Sequence, residues 1–163
     1  MAIPPPLSPE CIAFIHGSVS IMVGTRSAGR EPHLVRASAC RVEADGEQVT
    51  VLLAASHAGD VLADLRANGR IAVVFSEPSS HRTVQLKGCD ARAVPLEAEH
   101  QRLLGNYRQR MVPELGALGF SPAWVRALLG CNSAELVAVR FTPAEAWLQT
   151  PGPRAGEPLR EAP

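Results

Sequence analysis

Charge of one sign is what this sequence lacks most plainly: Lys and Arg together number 16, and so do Asp and Glu. A nucleic-acid binder takes most of its affinity from neutralising phosphates and shows a basic excess. The balance here argues against nucleic acid as a partner. Cysteine is sparse and scattered, because Cys11, Cys40, Cys89 and Cys131 form no C-x-x-C pair. Zinc sites need clustered ligands and disulfide scaffolds need denser cysteine. The expectation is therefore reduced, mostly buried thiols, no metal site and a cytoplasmic protein. No apolar run approaches the ~20 residues of a membrane-spanning helix. The opening "MAIPPPLSPE" has no basic segment leading into an apolar core, so no signal peptide is expected. Also missing are a G-x-S-x-G nucleophile turn, a G-x-G-x-x-G loop and a Walker-type loop. His16, His33, His57, His81 and His100 show no metal-ligand spacing, which leaves surface or capping roles for them.

What is present suits one globular domain: 163 residues, 46% of them hydrophobic, are enough for a real core. The expected division is a single domain over residues 1–150 and a Pro/Gly-rich tail, "TPGPRAGEPLREAP", with little regular structure over 151–163. Pro4 to Pro6 suggest an extended leader. "SPECIAFIHG" reads as a short helix capped by Ser8. "SVSIMVGT" alternates as a strand, "HLVRASACRVEA" continues extended, and Asp45-Gly46 signals a hairpin into "QVTVLLAA". In "SHAGDVLADLRANG" the period changes to helical, with Gly69 as the stop. "RIAVVFS" and the long "RTVQLKGCDARAV" are strands. "LEAEHQRLLGNYRQRM" and "SPAWVRALLG" are helices, and "AELVAVRFTPAEAWLQ" is the final strand. Trp124 and Trp147 read as packing residues. Six strands with a short crossover helix predict a mainly β fold, a six-stranded antiparallel barrel with helices packed outside it.

One stretch resists a purely structural reading. Alternation puts Thr83, Gln85 and Lys87 of "SSHRTVQLKG" on one face and Arg82, Val84 and Leu86 on the other. A face of Thr, Gln and Lys is either solvated or lies against something anionic. "RASACR" adds Arg36 and Arg41 inside another strand, five positions apart and so on opposite faces unless a bulge intervenes. The small residues Ala37, Ser38 and Ala39 leave room for a flat ligand to approach the backbone. Two strands offering Arg, Lys, Ser, Thr and Gln have the chemistry to hold a phosphate and a polar ring.

These runs, "VRASACRVEADGEQVTVLL" and "GRIAVVFSEPSSHRTVQLKG", resemble the FMN-binding split barrels of the pyridoxamine 5′-phosphate oxidase-related family, over about Ser18 to Ala93. The resemblance implies a six-stranded split barrel and a homodimer with two flavins in clefts between the subunits. The family's Arg, four residues, then Lys falls on Arg36 and Arg41, the first toward FMN phosphate or ribityl oxygens and the second toward substrate. Its Arg-x-Val-x-x-x-Gly segment falls on Arg82, Val84 and Gly88. Its flavin-facing glutamine position is Thr83 here, with Gln85 two residues on. Where the oxidase has an Arg-Lys pair before the crossover helix, this chain has Ser56 and His57. Arg108 and Arg110 lie on the helix that carries the oxidase's substrate-phosphate residues, but at a different spacing. The resemblance thus implies FMN bound by Arg36, Ala37, Ser38, Arg41, Ser56, His57, Arg82, Thr83, Gln85 and Lys87, with His81 a further candidate. The implied activity is oxidoreduction of a small-molecule substrate other than pyridoxamine phosphate, with no catalytic acid or base assignable. The alternative is a non-catalytic protein holding flavin, haem or deazaflavin on the same barrel.

Overall fold

The computed structural model describes residues 7–159; the proline leader lies outside the described residues, as do positions 160–163 of the tail. The chain runs α1 (Pro9–Ile15), β1 (Ser20–Arg26), β2 (Pro32–Arg36), β3 (Ala39–Val42), β4 (Val49–Ala54), α2 (Gly59–Asn68), β5 (Ile71–Ser76), β6 (Thr83–Gly88) and β7 (Arg92–Val94). It continues through α3 (Ala98–Gly116), α4 (Pro122–Leu128), β8 (Leu136–Phe141) and β9 (Glu145–Leu148). The strands form two antiparallel sheets, β2-β1-β5-β6-β9 and β3-β4-β8-β7.

The order of helices and strands follows the sequence pattern, but the six expected strands are nine. Each of the three longest extended runs divides between the two sheets. "HLVRASACRVEA" breaks at Ala37–Ser38 into β2 and β3, "RTVQLKGCDARAV" breaks after Gly88 into β6 and β7, and "AELVAVRFTPAEAWLQ" breaks at Thr142–Ala144 into β8 and β9. At the first corner the Ser38 N–H donates to Leu52 O at 2.7 Å, so the chain is already paired in the second sheet. Gly88 is the second corner because there is no room for a side chain: a Cβ there would sit 2.7 Å from Phe141 Cδ2 and 2.9 Å from Thr142 O. Burial of large apolar groups such as Phe75, Phe141, Leu52 and Leu86 between the sheets contributes roughly 1.5–3 kcal/mol per side chain.

Local signals behave as their chemistry dictates. The Ser8 and Ser121 hydroxyls accept from Cys11 N (3.3 Å) and Trp124 N (3.2 Å) to cap α1 and α4. Gly69 ends α2 with φ 64°, the left-handed geometry that favours glycine. The 151–159 segment is not a loose tail: Leu148 N donates to Glu157 O and Leu159 N to Ala146 O, so it folds back along β9. Trp124, expected to pack inward, is 46% exposed and stacks on Phe120 with ring centroids 4.5 Å apart. Cys11 and Cys40 are buried, Cys131 is half-buried and Cys89 is exposed, all four as free thiols. Among the described residues no helix is long and apolar enough to cross a membrane.

Candidate functional site

The outer face of the five-stranded sheet gathers four of the residues singled out in the sequence, Arg36, Thr83, Gln85 and Lys87. Alternation along β1, β5 and β6 turns Ile21, Val23, Val73, Phe75, Val84 and Leu86 inward. The other set faces out in rows fixed by the register. One row is Arg36, Met22, Val74, Gln85 and Trp147. The next row up is Ser20, Ser76 and Thr83, and the row below is Leu34, Gly24, Ala72, Lys87 and Glu145. The face therefore grades from hydroxyls through an apolar centre at Met22 and Val74 to small residues and the Lys87–Glu145 pair.

Arg36, at the exposed end of β2, donates through Nη1 to Ser20 Oγ at 2.8 Å, a contact that fixes the guanidinium and leaves its other donors available. Burial pushes the nearby Tyr107 phenol up to about 12, opposed by the positive charges of Arg36 and Arg110. Thr83 Oγ1 donates to Ser76 Oγ (3.0 Å), and its N–H donates to Thr150 Oγ1 (3.0 Å). Gln85 Oε1 accepts from Gln149 Nε2 at 3.4 Å. Lys87 lies 3.6 Å from Glu145 and 5.3 Å from the Trp147 ring centroid. The polar face of β6 is thus half-buried by β9, which the sequence reading had merged with β8.

Arg36 and Lys87 stand on strands three steps apart, about 14 Å at the usual interstrand spacing, so they do not meet at a single phosphate. Arg82 is directed elsewhere: its guanidinium pairs with Glu10 at 2.9 Å and lies 4.5 Å above the Phe14 ring of α1. Arg41 sits on β3 in the other sheet, where Glu43 and Glu99 neutralise it. Ala37 is fully buried at the corner. Ser38 beside it bonds to β4 two residues before Ala54, and the exposed 3₁₀ turn with Ser56 and His57 follows. Arg36, Ser38, Ser56 and His57 therefore belong to one end of the molecule. Thr83 marks the far side of the same face, and Lys87 lies lower down. His81 is exposed in the loop that joins β5 to β6, with φ 61°. Arg108 clamps the end of α4 by donating to Leu129 O (2.9 Å) and Cys131 O (3.0 Å). Among the described residues no cluster of three potential metal ligands occurs.

The sequence reading missed Asp64. It is buried on α2 and accepts from Thr25 Oγ1 (2.7 Å) and from His33 Nδ1 (2.8 Å), tying the helix to β1 and β2. Its signal was an acid three positions after Val61, on the apolar side of the helix. The hydrogen bond to Asp64 raises the His33 pKa above 6.5, and the same bond holds the Asp64 carboxyl below 3.8. The stabilisation from His33 is complete below pH 6.5 and fades as pH rises through its elevated folded value. That from Asp64 is complete above pH 3.8 and fades as pH falls through its depressed value. Asp64→Asn should lower the melting temperature most between these limits, with the gap from wild type narrowing on either side. A gap independent of pH would mean the pair does not form.

No family model matches the sequence, and no curated protein matches it. Solved structures do. HupZ from Group A Streptococcus is 17% identical, with 92% of this chain and 99% of that one covered at TM-score 0.54. A Lactobacillus delbrueckii protein provisionally assigned as a pyridoxamine 5′-phosphate oxidase is 12% identical over 88% of this chain and 95% of its own, TM-score 0.55. An F420 reductase is 14% identical over 82% of this chain and 93% of its own, TM-score 0.55. The chain has the pyridoxamine 5′-phosphate oxidase-like split-barrel fold. In this split barrel Arg36 and Leu34 stand exposed on β2, the edge strand of the outer sheet face.

Proposed function

We propose that this split barrel binds FMN along the upper part of the outer sheet face and acts as a flavin-dependent oxidoreductase on a small molecule. The observation that carries the reading is the row of polar groups running from Arg36 and Ser20 across Ser76 to Thr83, above an apolar floor of Met22 and Val74. A guanidinium at one end suits a phosphate, hydroxyls suit a ribityl chain, and the separation of Arg36 from Thr83 suits a cofactor whose phosphate and ring are far apart. Bound FMN supplies the redox chemistry, and the protein supplies position and electrostatics. Arg36 holds the phosphate, Ser38, Ser56 and His57 close the corner beside it, and Thr83 with Gln85 meets the polar edge of the ring. A single sheet face covers only one side of a flat ring, and Leu34 on this face is 71% exposed. A homodimer that supplies the opposite wall is part of the proposal.

A specific observation favours a second reading, a flavin or deazaflavin carrier without catalysis: no carboxylate or histidine stands in the rows from Ser20 to Thr83 and from Arg36 to Gln85. Turnover separates the two. With NADH and an electron acceptor, the FMN-loaded protein should turn over faster than the same concentration of free FMN, because the protein supplies position and electrostatics to the cofactor. A rate equal to free FMN would leave the carrier reading.

A further inference from the structure

We propose that the lower end of the same face holds a second binding site, for a small flat molecule bearing a phosphate or carboxylate. A groove of about 660 Å³ lies there, within the usual range for small-molecule sites. Its floor is the cross-strand pair Gly24 and Ala72, whose small side chains let a flat body lie against the sheet. A Cβ on Gly24 would already stand 3.3 Å from Leu34 Cδ2, so the recess exists because that position is glycine.

Arg26 and Arg70 line the end of this groove, and both are exposed. The β1–β5 register, continued two residues past Gly24 and Ala72, sets them side by side. Like charges directly opposite on neighbouring strands are destabilising, yet among the described residues neither arginine enters an ion pair. Their backbones are held together by one residue: the Asn68 side chain donates to Arg26 O (2.9 Å) and accepts from Arg70 N (2.8 Å). On the opposite wall Lys87 is paired with Glu145 at 3.6 Å, so among the described residues the unpaired positive charge of the groove is at the arginine end. Two guanidiniums carried on clamped neighbouring backbone positions, neither in an ion pair among the described residues, match an oxyanion approached by paired N–H donors. Arg26 lies four residues along β1 from Met22, the partner of Arg36, about 14 Å at the strand rise. This site is therefore separate from the proposed flavin phosphate contact.

Cys89, the exposed thiol, also lines the groove and gives a local readout. In a Cys131→Ser background, the rate of Cys89 modification by the neutral reagent 4,4′-dithiodipyridine is followed while 4-nitrophenyl phosphate, 4-nitrobenzoate or uncharged nitrobenzene is titrated. The expected result is saturable protection by one or both anionic probes and none by nitrobenzene; which anion protects at the lower concentration identifies the group recognised. Arg26→Ser with Arg70→Ser should raise the half-protecting concentration at least about tenfold, the equivalent of one charge-assisted hydrogen bond. Ala72→Leu, which fills the floor and keeps both arginines, should do the same, while Arg36→Ala should leave it unchanged. Absence of saturable protection, equal protection by nitrobenzene, or protection that survives the arginine replacements or Ala72→Leu overturns the proposal.

Discussion

Arg36→Ala should weaken FMN binding by about ten- to a hundredfold, the worth of a charge-assisted contact to a phosphate. The side chain is exposed, and within the protein it donates to Ser20, so its removal should leave the melting temperature close to wild type. That separation of binding from stability is what marks a ligand contact. Arg36→Lys should fall between the two, because an ammonium keeps the charge but loses the planar fork. Lys87→Ala should leave FMN affinity unchanged, since Lys87 stands three strands away and is paired with Glu145. FMN fluorescence quenching titrated against each variant gives the comparison. Equal affinity in wild type and Arg36→Ala would remove Arg36 from the site.

Gly88→Ala should destabilise the protein by about 1–3 kcal/mol, the usual cost of overpacking a core. The added methyl meets Phe141 Cδ2 at 2.7 Å and the backbone oxygen of Thr142 at 2.9 Å. Phe141 is fully buried, and a backbone carbonyl cannot rotate aside, so β6 must shift at the point where the chain leaves the first sheet. For a chain of this size each kcal/mol lowers the melting temperature by roughly 2–4 °C. Gly59→Ala is the control, because a Cβ there meets nothing within 4 Å. Equal melting temperatures for Gly88→Ala and Gly59→Ala would show that the corner is not tightly packed.

Gly88 also shows what the sequence makes legible and what it hides. The local patterns located the six extended runs that hold the nine strands, and the change of period located α2, α3 and α4, because these patterns report which side of a local element is buried. A sheet corner leaves alternation nearly intact, since the side chains keep turning in and out while the hydrogen-bond partners change. The corners at Ala37–Ser38, Gly88 and Thr142–Ala144 were therefore invisible, and three strands read as continuous. The same blindness governed the site. Arg36 and Arg41 read as opposite faces of one strand, but the corner between them sends Arg41 to β3 and its partners Glu43 and Glu99. Arg82 looked like a phosphate ligand until α1, remote in sequence, supplied Glu10 and Phe14. The polar outer face of Thr83, Gln85 and Lys87 was readable from period two alone. What covers half of it, β9 with Trp147 and Gln149, depended on a long-range pairing that no local pattern encodes.

Gel filtration of the protein incubated with FMN, monitored through the visible spectrum, decides whether the upper part of this face is a flavin site. The two-band flavin spectrum should travel with the protein peak. Protein emerging colourless, with all FMN in the small-molecule fraction, would contradict it.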